Sequence, residues 1–409
     1  MIQAHEELTK PVRIGIDIGG TFTDFLLINN ATGDFAVYKE LTTPDDPSEA
    51  VLHGLGVLLE MGKVAAADVG QIVHGTTLVT NALIERKGAK TGLLTTKGFR
   101  DAIQIAREHR YDLYDLFIDL PEPLVPRYLR LELDERIFSD GSIHTAIDEA
   151  EVLARLAELQ EAGVEAIAVS LLHSYQNPVH ERQVGEILTA AAPDMIVSLS
   201  SDVVPEIREY ERTSTTIANV YARPVVAEYL DRLARALVGL GVTAPLYVMI
   251  SSGGLSTVET ARRFPIRLVE SGPAAGALAA AHHGKISGRT SLLSFDMGGT
   301  TAKACLIDDN RPSISPEFEV NRVYRFKKGS GLPIRVPVIE LIEIGAGGGS
   351  IARVDAMGLL KVGPDSAGAD PGPVCYGRGG TQPTVTDSDL YLGYLNPAYF
   401  LGGSMNLDL

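Results

Sequence analysis

RIGIDIGGTFTDFLLIN, residues 13–29, carries an apolar strand into a Gly-Gly turn and out along a second apolar strand. The pattern returns once, as LLSFDMGGTTAKACLID at residues 292–308. In both copies an aspartate, Asp17 or Asp296, stands just before the turn. The turns themselves read Gly19-Gly20-Thr21 and Gly298-Gly299-Thr300. Two glycines at a strand–strand turn leave no Cβ in the way, so backbone N–H groups can approach a phosphate and form an anion-binding nest. The hydroxyls of Thr21, Thr23, Thr300 and Thr301 are candidate additional donors. A carboxylate beside each turn suits Mg²⁺, which takes one or two carboxylates and keeps several waters. Two such loops facing each other would clamp a triphosphate. A single repeat at one long spacing points to duplicated subdomains rather than a solenoid.

The copies are unequal. Phe22-Thr23-Asp24 aligns with Thr301-Ala302-Lys303. Lys303 either reaches a phosphate oxygen as a point charge or remains a surface residue. Asp24 either supports a metal or hydrogen-bonds the turn. Other nucleotide motifs fail: Gly62-Lys63 and Gly284-Lys285 lack the following Ser or Thr of a P-loop. In Gly345-Ala-Gly347-Gly348-Gly349-Ser350 a serine stands where the last glycine of GxGxxG belongs.

Composition narrows the class. The 409 residues are 45% hydrophobic and 22% charged, enough for two or three globular domains. A formal net charge of -16 argues against non-specific binding to nucleic acid or a membrane surface. No apolar run has the length of a spanning helix, and the first residues lack the apolar core of a signal peptide. The two cysteines, Cys305 and Cys375, form no CxxC pair and read as reduced thiols. Together these features lead us to expect a cytoplasmic protein with no nucleic-acid or membrane partner.

Hydrophobic periodicity fills in the rest. Strands are expected over 13–18, 25–28, 35–39, 71–74, 90–95, 166–172, 195–199, 246–250, 291–296 and 301–307. Helices are expected over 48–60, 76–86, 148–161, 178–191, 213–237 and 273–281. The segment 107–126, rich in Tyr, Asp and Pro, reads as an irregular excursion. Alternating strands and helices define an α/β protein with mixed sheets and flanking helices. The expected division is one subdomain over 11–200 and a second over 201–409.

Several motifs resemble a known family. DIGGTFTD, HGTTLVTNALIERKG, LLTTKGF, SLLHSYQNP, SSGG, ESGPAAG, DMGGTT, IGAGGGSIARVD and KVGPDSAGADPGPVCYG occur in family order. Together they resemble the A subunit of ATP-dependent hydantoinases and 5-oxoprolinases, with acetone and acetophenone carboxylase subunits as relatives. The resemblance implies an actin-like (ribonuclease H-like) ATPase core, ATP and Mg²⁺ as cofactors, and ring opening of a cyclic amide beside a B-type subunit. Asp17 and Asp296 would hold the metal, and the Gly-Gly-Thr loops the phosphates. The family's later Gly-Gly-Ala-Gly stretch is not found after Gly349.

Other residues carry open readings. His74-Gly75-Thr76-Thr77 leads from a strand into a helix, and the family pattern favours a catalytic role for His74 and a binding role for Thr77. Gly347 and Gly348 would let the backbone approach a nucleotide or the activated amide, or would make a tight turn. Arg107 either binds a substrate carbonyl or forms an ion pair. His173 reads as a hydrogen-bonded histidine at a strand end, and Ser271 as a helix cap. Asp365, Asp370 and Asp387 read as turn caps or metal ligands. The alternatives to cyclic-amide hydrolysis are an ATP-dependent carboxylase acting on a ketone, a sugar kinase and a non-catalytic ATP switch.

Overall fold

The computed structural model describes residues 10–19, 22–43, 47–108, 110–324 and 327–409. Gly20 and Thr21, two of the expected phosphate-binding residues, lie outside the described residues.

The first repeat builds a meander. Strand β1 (Val12–Ile18) pairs antiparallel with β2 (Phe22–Asn29), and β2 with β3 (Phe35–Leu41). Strand β4 (Val69–Thr76) returns parallel to β1 after a crossover through helix Pro47–Gly62. Leu246–Met249 then pairs parallel with β4, and Leu255–Thr257 closes the six-stranded sheet. Strand side chains alternate between faces. Ile14, Ile16 and Ile18 therefore point one way into the core, while Asp17 points the other. Helix Pro47–Gly62 lies on that apolar face, its Val51, Leu55 and Leu58 fully buried at helical spacing.

A second sheet of four parallel strands is inserted between β4 and the return to the first sheet. Its strands are Thr91–Thr96, Arg130–Leu133, Ala166–Ser170 and Ile196–Leu199. Helix Glu209–Gly239, 31 residues with Pro224 inside it, packs against both sheets, its Leu233 and Val220 belonging to the two different cores. The expected 107–126 excursion contains neither helix nor strand among its described residues.

The second repeat forms its own antiparallel hairpin, Leu292–Met297 with Ala302–Asp308, extended by Ile342–Ile344. Helix Ser271–Ile286 covers one face of it through Ala274, Ala277 and Ala281. Strands 246–249 and 255–257 complete the sheet of the first repeat, so that sheet draws on residues from both sides of position 200. The second body of the fold starts near the helix that leads into Leu292–Met297.

Candidate active site

The two turns close in the same way. Gly19 N–H donates to the Phe22 carbonyl at 2.9 Å, and Gly298 N–H donates to the Thr301 carbonyl at 3.0 Å. Duplicated sequence has become duplicated geometry. The loops border one cleft of about 420 Å³, whose lining includes Asp17, Gly19, Thr77, Asp296, Gly298, Gly299, Thr300, Thr301 and Lys303. A larger hollow of about 620 Å³, lined by Arg182, Asp202, Arg223, Arg263 and others, contains none of these loop residues.

Asp17 reaches the cleft because two glycines make room. A Cβ on Gly75 would lie 2.8 Å from Asp17 Oδ1, and one on Gly272 would lie 2.6 Å from it. Gly75 sits beside Asp17 on β4, and Gly272 opens helix Ser271–Ile286. Ser271 ties the two segments together. Its hydroxyl donates to the Thr76 carbonyl at 2.9 Å and accepts from Thr76 N–H at 3.1 Å.

Charge in the cleft is dominated by carboxylates. Asp24 stands directly across the hairpin from Asp17, whereas Lys303 occupies the corresponding place opposite Asp296. Burial, reinforced by the carboxylates of Asp24 and Asp296, pushes the Asp17 carboxyl up to about 6, against the pull of Lys303 and Lys39. The lysines are engaged: Lys39 Nζ bonds Asp24 at 2.7 Å, and Lys303 pairs with Glu270. Two neighbouring carboxylates, one held back from ionisation by the other and by Asp24, form a donor set that a divalent cation would relieve. Asp17 and Asp296 thus fit Mg²⁺, with water completing its shell. Among the described residues no cluster of three or more His, Cys, Asp or Glu side chains is placed to chelate an ion.

The glycine-rich loop after Ile342–Ile344 braces the second turn. Gly348 N–H donates to the Gly298 carbonyl at 2.9 Å, and Gly349 N–H to that of Gly299 at 2.6 Å. Gly347 packs backbone to backbone, for its Cβ would fall 2.6 Å from Gly299 C and Thr300 N. These two N–H donors are therefore spent on the protein. Gly348 lines the cleft without offering its amide, Gly347 is buried behind it, and Gly349 borders the ligand space as well.

Strand alternation corrects two expectations. His74 pairs with Ile16 in register, so it shares the buried face and not the Asp17 face. Its ring is fully buried against helix Glu209–Gly239, where Nε2 meets the Tyr229 hydroxyl at 2.9 Å. Nδ1 faces the Ile16 backbone without reaching hydrogen-bond geometry. Burial drives the His74 pKa down to about 4. Its side chain is buried in the core and is not among those lining the cleft. Thr23 is likewise paired with Ile18 and fully buried. Its hydroxyl meets that of Thr42 at 3.0 Å, and Thr42 donates to the Gly19 carbonyl at 2.9 Å. Thr23 supports the first loop from behind and does not touch the cleft.

The remaining candidates disperse. Arg107 is bound by Glu211 at 2.7 Å and Glu317 at 3.0 Å, away from the loops. His173 Nδ1 lies 2.8 Å from the Ile137 carbonyl. Asp365 pairs with Arg353, and Asp387 closes a capping box with Thr384. Both cysteines are buried and free. Sequence reading missed Tyr376, Thr386, Phe400 and Leu401, which wall the cleft from the far end of the chain. The Phe400 ring lies tilted against Tyr376 with centroids 5.4 Å apart and meets Phe22 edge-on at 6.2 Å. No local motif marks them, since only the return of the chain places them there.

Known proteins resemble this chain in sequence and fold. The profile of the Hydantoinase/oxoprolinase family matches residues 212–409, and that of the Hydantoinase/oxoprolinase N-terminal region matches residues 13–192. An uncharacterized protein of Methanocaldococcus jannaschii is 45% identical over 94% of this chain and 57% of its own length. Caprolactamase subunit alpha of Pseudomonas jessenii is 41% identical over 97% of this chain and 56% of its own length. The crystal structure of that ATP-dependent caprolactamase superposes with a TM-score of 0.79 at 40% identity, over 97% of this chain and 57% of the other. The nucleotide-free structure of acetone carboxylase superposes with a TM-score of 0.82 at 30% identity, over 98% and 57%. The chain thus spans little more than half the length of these relatives. Its fold, α/β with mixed sheets and flanking helices, is that of the actin-like ATPases.

Proposed function

The chain belongs to the hydantoinase/oxoprolinase family, and from that premise we propose that it is the ATP-handling part of a cyclic-amide hydrolase. The observation that carries this reading is the single cleft bordered by both aspartate–glycine turns. The Gly19 and Gly298 turns would hold phosphate oxygens, and Asp17 and Asp296 would hold Mg²⁺, which neutralises phosphate charge when bound.

The chemistry is one of activation. A lactam carbonyl is a weak electrophile because resonance stabilises it. Attack of its oxygen on the γ-phosphorus, with ADP leaving, converts that oxygen into a leaving group and the carbon into an imidate-like centre. Water adding to that carbon, followed by C–N cleavage, opens the ring to an acyl phosphate, and a second water releases phosphate and leaves the carboxylate. The protein's contribution to the first step is positioning and charge stabilisation. Tyr376 and Phe400 would exclude water from the far wall. A separate B-type subunit is the partner we propose for ring opening, as relatives are named as subunits. We place the protein in the cytoplasm; no helix among the described residues is long and apolar enough to cross a membrane.

A carboxylase that activates a ketone is the second reading, favoured by the acetone carboxylase likeness. ADP release measured across a panel of cyclic amides and ketones, with and without bicarbonate and a B-type subunit, separates the two. Lactam-dependent release without bicarbonate is the expected result. Release that requires both ketone and bicarbonate would overturn it in favour of the carboxylase.

A further inference from the structure

The inserted sheet of four parallel strands has a ligand-binding geometry of its own. Its strands lie in the order Ile196–Leu199, Ala166–Ser170, Thr91–Thr96, Arg130–Leu133. The chain leaves Thr91–Thr96 toward Arg130–Leu133 on one side, and leaves Ala166–Ser170 toward Ile196–Leu199 on the other. The two central neighbours thus send their connections apart, and a crevice opens between their carboxyl ends. Such a switch point is where open α/β sheets take ligands. A hollow of about 400 Å³ lies at this edge, with Lys97, Arg136, Phe138, Leu172 and His173 in its lining. It shares no lining residue with the two-turn cleft. LLTTKGF and SLLHSYQNP, two motifs to which the proposed reaction gives no role, both contribute to it.

The floor of the hollow is held by a buried network. The Thr96 hydroxyl donates to Glu135 and accepts from Leu172 N–H at 2.8 Å, so it joins the segments at the ends of three strands. Glu135 Oε2 meets His180 Nδ1 at 2.6 Å. Thr96, Glu135 and His180 are all buried. His173 beside them is held at φ +58°, a left-handed conformation that is costly for a residue other than glycine and recurs at ligand sites. Its Nδ1–H donates to the Ile137 carbonyl at 2.8 Å, which fixes the ring in the wall.

Charge decides the ligand class. Lys97 is matched by Asp134 at 2.6 Å, and Glu135 turns its carboxylate inward to Thr96 and His180. Arg136 is held differently. Its Nη2 donates to the Lys97 carbonyl at 3.2 Å, and its guanidinium lies over the Phe99 ring, 5.2 Å from the centroid. Neither contact neutralises it, and among the described residues it forms no ion pair. A guanidinium fork that is positioned but not neutralised matches a carboxylate or a phosphate. Phe138, stacked on His144 with centroids 4.8 Å apart, and Leu172 supply apolar surface in the same hollow. We infer that this hollow is a second ligand site, which takes a small organic anion: its carboxylate or phosphate on Arg136, its apolar body against Phe138 and Leu172.

The test titrates the 409-residue chain with benzoate and, separately, with phenyl phosphate, reading heat by calorimetry and backbone protection by amide exchange. Segments 97–99, 134–138 and 172–174 should gain protection. Protection by benzoate alone assigns a carboxylate ligand, and by phenyl phosphate alone a phosphate ligand. Arg136→Gln should weaken binding roughly tenfold or more and remove that protection. Arg136→Lys keeps a cation over Phe99 but loses the fork, and should also bind more weakly than the parent. Arg263→Gln removes a half-exposed arginine from the larger hollow and should change neither readout. Melting temperatures of the unliganded variants check that the fold is kept, and Arg136→Lys decides if Arg136→Gln does not fold. No protection of these segments by either anion, binding indifferent to the Arg136 substitutions, or loss with Arg263→Gln in their place would each overturn the inference. No ATP turnover enters the readout, so the site stands or falls apart from the proposed reaction.

Discussion

At the residue scale, Asp17 and His74 lie beside each other in sheet register yet have opposite fates. Asp17 shares its face with Gly75, and His74 shares its face with Ile16. The raised Asp17 carboxyl means that the folded state holds this proton more tightly than the unfolded chain does. Asp17 therefore costs the protein stability as pH rises from its ordinary 3.8 through about 6. Asp17→Asn should melt higher than the parent in Mg²⁺-free buffer above pH 6, and that advantage should fade below pH 4. The same variant should lose at least a hundredfold in Mg²⁺·ATP-dependent turnover. Retained turnover would remove the metal role. His74 runs the other way. Its folded pKa of about 4 lies below the ordinary 6.5, so its neutral form stabilises the fold above 6.5 and acid removes that contribution between 6.5 and 4. The span corresponds to about 3 kcal/mol. His74→Gln should flatten this part of the stability–pH curve and keep most of the turnover. Loss of kcat without loss of stability would restore a catalytic role.

At the scale of elements, the hairpin turns were the most legible feature and the glycine loop at 345–349 the least. A run of glycines reads as a place where backbone meets ligand. Here it meets backbone, because Gly347 lies against Gly299 and Thr300. Gly347→Ala forces the two loops apart. It should cost about 1–3 kcal/mol by overpacking and weaken ATP affinity in the same variant. Gly276, inside helix Ser271–Ile286, has nothing within 4 Å of its Cβ position. Gly276→Ala should accordingly stabilise by about 0.5–1 kcal/mol through helix propensity. Denaturant midpoints for the pair provide the check, and equal midpoints would contradict the packing account. Strand and helix positions followed hydrophobic periodicity closely, as with the expected 13–18 and 148–161 against Val12–Ile18 and Glu149–Glu161. The face a given residue takes within a strand depends on register with neighbours distant in sequence, which is why the buried placement of His74 and Thr23 was not legible.

At the scale of the molecule, the two repeats meet through Ser271 and Thr76. The serine is fully buried and bonds both backbone groups of Thr76. Ser271→Ala leaves that N–H and carbonyl without their partner, at a cost of about 1–3 kcal/mol. We expect a lower melting temperature and a smaller ATP-induced rise in it, since the clasp holds Gly272 against Asp17. A variant with unchanged melting and unchanged nucleotide response would show that the halves are held by other contacts. The parallel four-stranded sheet is inserted within the first body, and the first sheet borrows strands from beyond residue 200. Such interleaving leaves no Gly/Ser linker for a sequence to display.

The sequence by itself determined the repeated aspartate–glycine turns, the α/β class and the family, because turn chemistry and hydrophobic period are local. That Asp17 and Asp296 stand just before the two turns was legible for the same reason. Only the tertiary structure decided that both turns border one cleft, that Tyr376 and Phe400 wall it, and that His74 lies behind it. Among the described residues it also covers one face of the first hairpin and exposes the matching face of the second. These outcomes depend on which strands pair and which helices cover them, and such pairings join residues hundreds of positions apart.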